Sequence, residues 1–272
     1  MNAAQLAINS ISTRHVDLEE AVAAYASAGF LNVEFHLPLV KSYLEVGHTV
    51  GDVRALLDQY GMRAIGGFQL PVVCFGDEEA VADNQRAQVE NATLIHDLGG
   101  GTLVVGTDGP ATPSLDALPV VADGLRRLLV PIDGLDVTIA LEFNWSPLVK
   151  SLDSAVRVCE LVDHPQVGVL FDPAHYYTTV TKFEDINAGS VAWIRHVHLD
   201  DMADKPGELS NCNSDRVLPG TGVLDLGAMI GALEHHGYDG FFSIEMFNDN
   251  LWAMPASKAA KLCRDSLEPY LT

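Results

Sequence analysis

Short apolar segments of strand character alternate with amphipathic segments of helical character along the whole chain, about eight times in 272 residues. The strand segments are Leu6–Ile11, Leu31–His36, Arg63–Phe68, Thr102–Gly106, Val137–Phe143, Val167–Phe171, Ile194–Leu199 and Phe241–Met246. The helical ones are Leu18–Ala28, Val50–Tyr60, Glu78–Leu98, Leu115–Ile132, Leu152–Val162, Leu226–His236 and Pro255–Leu271, with a weaker one at Lys182–Ala188. Such alternation means parallel strands joined by right-handed crossovers. Eight units in a chain of this length close into a (β/α)8 barrel more readily than they spread into an open sheet. Gly29, Gly61, Gly99 and Gly237 stand where helices should end. No Pro- or Ser-rich linker divides the sequence, so residues 1–272 are expected to form one TIM-barrel domain. Chemistry on this fold sits at the C-terminal mouth, where strands run into βα loops.

Charge narrows the partners. Lys and Arg number 16 against 37 Asp and Glu, a formal net charge of −21. Nucleic acid and anionic membrane surfaces both call for a basic footprint that this chain lacks. No run of about 18 apolar residues is present to span a bilayer. Cys74, Cys159, Cys212 and Cys263 are scattered, without CxxC spacing, which fits a reducing compartment better than a disulfide framework. The first residues lack the basic start and apolar run of a signal peptide. The expected location is the cytoplasm and the expected partner a small molecule.

Four consecutive strands end in residues that can bind a cation. Val-Thr-Ile-Ala-Leu delivers Glu142, Val-Gly-Val-Leu-Phe delivers Asp172, Ile-Arg-His-Val-His delivers His198, and Phe-Phe-Ser-Ile delivers Glu245. A charge at the end of an apolar strand is costly to desolvate unless it is paired or bound to metal. One imidazole and three carboxylates at a barrel mouth suit one divalent metal ion of the Mn, Zn, Co or Mg type.

These residues lie in the segments A-L-E-F, F-D-P-A-H, H-V-H-L-D-D, S-D-R-V-L-P-G-T-G-V-L-D and G-Y-D-G-F-F-S-I-E-M-F. In them the chain resembles the xylose-isomerase-like TIM barrels, the sugar phosphate isomerase/epimerase group, and is most similar to the inosose (2-keto-myo-inositol) isomerases. The resemblance implies that Glu142, Asp172, His198 and Glu245 hold one cation across adjacent oxygens of a hydroxyketone. It implies a keto-polyol substrate, and proton abstraction by Glu142 or Glu245 to give a metal-stabilised enediolate. His175 would reach a substrate oxygen, or else cap a helix. Arg216 would fix a substrate oxygen or steady the enediolate charge, or else pair with Asp215 or Asp201. The group's habits also imply a homodimer or homotetramer.

The sequence departs from two relatives at single positions. Leu148 stands where ketohexose 3-epimerases carry a further glutamate, which favours a cyclic ketone. Val217 stands where the trinuclear apurinic endonucleases place a histidine. The run S-I-E-M-F-N-D also resembles the 3-dehydroshikimate dehydratases, although these tend to have glutamine in place of His198. A metal-dependent dehydratase, of the 3-dehydroshikimate or inosose type, is therefore the alternative enzyme. A non-catalytic sugar-binding barrel is the alternative from another class.

Further polar residues fall near strand ends. Glu34 and His36 end the second strand, each a mouth residue or a wet strand end. Gln69 follows the third, and Asn9 lies in the first; both can hydrogen-bond a polyol. Trp145 offers an apolar wall to a sugar ring or a buried core residue. Gly220-Thr221-Gly222 reads as a tight turn, since it matches no phosphate-binding fingerprint.

Overall fold

The strands, in a computed structural model that describes all of residues 1–272, are β1 (Leu6–Asn9), β2 (Asn32–His36), β3 (Arg63–Phe68), β4 (Thr102–Val105), β5 (Thr138–Glu142), β6 (Val167–Phe171), β7 (Ile194–Leu199), β8 (Asp201–Met202), β9 (Arg216–Val217) and β10 (Phe242–Ile244). Eight of them form a closed parallel barrel in the order β1-β10-β7-β6-β5-β4-β3-β2. The ring closes where Leu6, Ala7 and Ile8 pair with Phe242, Ser243 and Ile244. The expected (β/α)8 barrel is thus the observed fold. No helix is long and apolar enough to cross a membrane.

Strands covered on both faces are apolar on both faces, and the core accordingly has two parts. A cluster of 65 buried residues, in which Val33, Leu103, Ile139, Leu141 and Val169 take part, packs strands against the helical ring. Inside the barrel, Val104, Ala140 and Leu170 form a separate small cluster with Phe68. Ala140 and Leu170 each lie two residues before a candidate ligand, so they share its face. They are the apolar floor beneath Glu142 and Asp172.

Four strands stop earlier than their hydropathy suggests, β4 and β5 by a single residue and the first and last barrel strands by two. Asn9 ends β1 because its side-chain oxygen accepts from Ile11 N at 3.0 Å and starts a 3-10 turn over Ser10–Thr13. The last barrel strand stops at Ile244, which leaves Glu245 just beyond it at the mouth. The helix expected over Lys182–Ala188 is instead a 3-10 turn, Phe183–Asp185, followed by a short helix, Ala188–Val191. Asn187 divides them, because its side chain caps the second from Gly189 N and Ser190 N. Three helices carry no distinct sequence signal: Leu37–Glu45, Pro173–Thr178 and Asp249–Trp252. The first starts directly at the end of β2 with no side-chain cap. The second is a single βα-loop turn whose cap is Asp172 itself.

Candidate metal centre and active site

β5, β6, β7 and β10 are consecutive around the ring, and their ends bring the four expected ligands together. His198 Nδ1 lies 3.3 Å from Asp172 Oδ2 and 3.2 Å from Glu245 Oε2. Ligand atoms of Glu142, Asp172 and His198 all fall within 4.8 Å of one another. Asp172, His198 and Glu245 are buried and Glu142 is half-buried. Glu142, Asp172 and His198 at this spacing fit a single divalent ion, and Glu245, which faces the same His198 nitrogen, stands beside them as a fourth donor.

Each outer carboxylate is held by an amide. Asn144 Nδ2 donates to Glu142 Oε2 at 2.8 Å, and Asn9 Nδ2 donates to Glu245 Oε1 at 3.1 Å. Asn9 is fully buried and orients a carboxylate; it does not line the cavity. His175 lies in the first turn of the short helix after β6, where its backbone N–H donates to Asp172 Oδ1 at 3.0 Å. Its Nε2 is 3.5 Å from Glu142 Oε1, and its buried Nδ1 has no hydrogen-bond partner. Burial works against the imidazolium of His175, but Glu142 and Asp172 outweigh it and hold the ring well above its usual pKa. In return His175 draws Glu142 below the usual carboxylate range despite burial.

Arg216 corrects one expectation. Its guanidinium does not pair with Asp215 or Asp201. It lies fully buried among Asp200 (2.7 Å), Glu245 (2.7 Å) and Asp172 (3.1 Å), with Nε donating to Cys212 O. Asp215 instead takes Lys205 at 2.7 Å. Burial opposes ionisation of Asp172, yet Arg216 and His175 bring its pKa far below the usual value. Asp200 goes the other way. Burial pushes its pKa well up against the pull of Arg216, and neither of its oxygens has a hydrogen bond of good geometry.

Asp201 explains the Gly-Thr-Gly turn. Its carboxylate accepts from Gly220 N (3.1 Å), Gly222 N (2.9 Å), Leu224 N (2.9 Å) and Met202 N (2.8 Å). The amides that would cradle a phosphate are already taken. The turn locks β9, paired antiparallel to β8 with Met202 opposite Arg216, and so holds the guanidinium in the site. A Cβ on Gly222 would sit 2.2 Å from Met202 O and 2.4 Å from Asp201 Oδ1. Gly222→Ala is therefore expected to cost about 1–3 kcal/mol, read as a lower midpoint in urea unfolding.

The site opens into a cavity of about 520 Å³ lined by Glu142, His175, His198, Arg216 and Glu245 together with Gln69, Thr107, Asn144, Trp145, Asn211 and Asn213, among others. Trp145 stands at the rim, 50% exposed, so its reading as a buried residue is overturned. Gln69 lines the wall and its Oε1 accepts from Lys41 Nζ at 2.6 Å. His36 is not among the lining residues. It faces a neighbouring cleft with Ser10, Arg14 and Tyr43, and its ring packs 5.0 Å from that of Phe68.

A family model described as "Xylose isomerase-like TIM barrel" matches residues 22–269. The chain belongs to that family. An inosose isomerase of Halalkalibacterium halodurans is 31% identical over 133 residues, which is 48% of this chain and 46% of the relative. The chain thus spans about half the length of the inosose isomerases it matches. An inosose dehydratase of Geobacillus thermodenitrificans is 23% identical over 271 residues, 90% of this chain and 87% of the relative. A solved structure of a protein named IolI, with a bound zinc atom, superposes with a TM-score of 0.87 at 20% identity, covering 98% of each chain. That likeness is one of fold.

In this xylose isomerase-like barrel the sequence undervalued two residues of the interior. Glu34 reads equally as a wet strand end, but it is fully buried, with Oε2 3.1 Å from both His196 Nε2 and His198 Nε2. His196 lies two positions before His198, so the two share one face of β7, a signal available in H-V-H.

Proposed function

We propose that this chain is a divalent-metal-dependent isomerase or epimerase of an uncharged keto-polyol of the inosose type. The observation that carries the reading is the placement of Glu142 and Glu245. They are the outermost of four converging donors, each held by an amide, and both line one polar cavity. Glu142, Asp172, His198 and Glu245 would hold the ion. When bound, the ion supplies a Lewis acid for a carbonyl and its neighbouring hydroxyl, easing loss of the α-proton. Glu142 or Glu245 takes that proton as a general base and returns it to the same carbon, or to the adjacent carbon as the hydroxyl proton passes to the former carbonyl oxygen. His175, which lines the cavity beside Glu142, holds a substrate oxygen, and the Arg216 guanidinium counters the negative charge that develops.

The uncharged class follows from the lining. Arg216 is already matched by Asp172, Asp200 and Glu245, and no lysine lines the cavity. Beyond the ion and His175, a phosphate or carboxylate on the substrate would meet no free cation there. A dehydratase of the same substrate class is the second reading, favoured by the match that spans 90% of the chain. It shares the proton abstraction and differs in expelling the β-hydroxyl.

A panel of keto-inositols, ketoses and 3-dehydroshikimate, followed by NMR in D2O with Mn2+ or Zn2+, tests the proposal. A keto-inositol should exchange its α-proton without losing water. Loss of water to give an enone supports the dehydratase, and no exchange with any substrate leaves a binding barrel.

Metal binding should also release protons. Burial opposes the charge on His198, but Glu245 and Glu34 hold its pKa well above the usual value, so the metal-free ring keeps its proton more tightly than a free imidazole. A cation must displace that proton, so affinity rises with pH, by up to about tenfold per unit per proton, until the raised pKa is passed. Calorimetry in two buffers of different ionisation heat reads the release directly; buffer-independent heats would contradict it.

A further inference from the structure

Glu34 touches neither ion nor substrate in the chemistry above, yet its carboxylate reaches the interior of the barrel at 0% exposure. β2 and β7 are separated in the ring by β1 and β10, so the contact spans the lumen. Oε2 lies 3.1 Å from His196 Nε2, and both oxygens lie 3.1–3.2 Å from His198 Nε2.

Local backbone irregularities bracket this contact. Where β2 meets β3, Val33 opposes Ala64 but Glu34 opposes Gly66, leaving Ile65 as an extra residue. Where β6 meets β7, Val169 opposes Ile194 but Leu170 opposes His196, leaving Arg195 as an extra residue. Bulges of this kind re-aim the side chains beside them. One stands next to Glu34, and the other immediately precedes His196.

A carboxylate this far from water must be met by donors, and an ionised carboxylate can only accept. Both imidazoles that face it therefore present Nε2–H. For His198 that leaves Nδ1 toward Asp172 Oδ2 and Glu245 Oε2, at 3.3 and 3.2 Å. An imidazole whose far N–H is held by a carboxylate is fixed in orientation and made a stronger ligand.

We propose that Glu34 is a positioning residue that locks His198 in the Nε2–H form with Nδ1 as the metal-binding atom, His196 serving as the second donor to the same carboxylate. This rests on the reading of Glu142, Asp172, His198 and Glu245 as a metal centre. Glu34→Gln puts one acceptor and one donor where two N–H groups converge, so one imidazole must change tautomer.

The test uses the full chain and Zn2+ alone. Competition with a chromophoric chelator should show Glu34→Gln binding about 10- to 100-fold more weakly than wild type, with Glu34→Asp recovering part of the loss. In 15N-labelled, zinc-loaded wild type, long-range 1H–15N spectra should show His198 protonated at Nε2 and bound through Nδ1. That spectrum decides the matter even if Glu34→Gln does not fold. Zinc bound through Nε2, or Glu34→Gln within twofold of wild type, overturns the inference while the metal centre stands. A wild type that takes up no Zn2+ overturns the metal centre and this inference with it.

Discussion

Glu245→Gln should reduce turnover by about a thousandfold while leaving the barrel folded. The amide keeps an oxygen for Asn9 Nδ2, which now donates to Glu245 Oε1 at 3.1 Å, but it takes a charge from Arg216 Nη1 at 2.7 Å, so the variant should unfold at lower urea while the barrel still forms. What is lost is a negative charge beside His198 Nδ1 and a base facing the cavity. General-base removal alone is worth about 10²–10⁴ in rate, and weaker cation binding adds to it. Kinetics at saturating Mn2+ separate the two contributions. If metal restores full turnover, Glu245 is only a ligand; if turnover stays down at saturation, it is also the base. Glu142→Gln, by the same reasoning, should fall by a comparable factor, since Asn144 anchors Glu142 as Asn9 anchors Glu245.

Arg216→Met should be the most destabilising single change in the site. The guanidinium is fully buried against Asp172, Asp200 and Glu245. Removing one partner of a buried charge cluster costs about 3–5 kcal/mol, because the charges left behind are uncompensated. The pH dependence has a definite sign. Without Arg216 the folded-state carboxyl groups rise above their unfolded values, as Asp200 does already through burial. Such groups favour folding when protonated, so the variant recovers stability as pH falls toward their raised pKa values and loses it as pH rises past the ordinary carboxylate range. A divalent ion should restore part of the loss at neutral pH by replacing the missing positive charge. Thermal unfolding from pH 5 to 8, with and without Mn2+, checks both statements. A variant as stable as wild type at pH 7.5 without metal would show that the guanidinium contributes no net stability to the cluster.

The barrel was legible because its signal is repeated. β3, β6 and β7 end where their apolar runs end, and the four candidate ligands stand out at the close of such runs. Positions hidden inside the alternation were harder to read. Glu34 lies in N-V-E-F-H, where a single acidic residue in a short strand looks the same whether it meets water or two imidazoles. Only the closed ring reveals that His196 and His198 lie opposite. Arg216 sat in an acidic loop, and nearby Asp215 and Asp201 were the obvious partners. The β8–β9 pairing turns the guanidinium inward, while Lys205 and the amides of the Gly-Thr-Gly turn satisfy those two carboxylates. The helix expected at Lys182–Ala188 failed for a local reason, since Asn187 caps a new turn in the middle of the segment. His36, one residue beyond a buried stretch, turned to a separate cleft because its backbone N–H is held by Ser10 Oγ at 2.7 Å.

Glu142, Asp172, His198 and Glu245 are proposed to make together a cation-dependent site for removing a proton next to a ketone. The most direct measurement is the rate at which a keto-inositol gains deuterium from D2O, by NMR, in metal-loaded protein, chelator-treated protein and chelator-treated protein given Mn2+ again. Exchange should occur at the carbon beside the carbonyl, stop on chelation, and return with the ion. Exchange that is indifferent to chelation, in protein shown to be metal-free, would contradict that proposal.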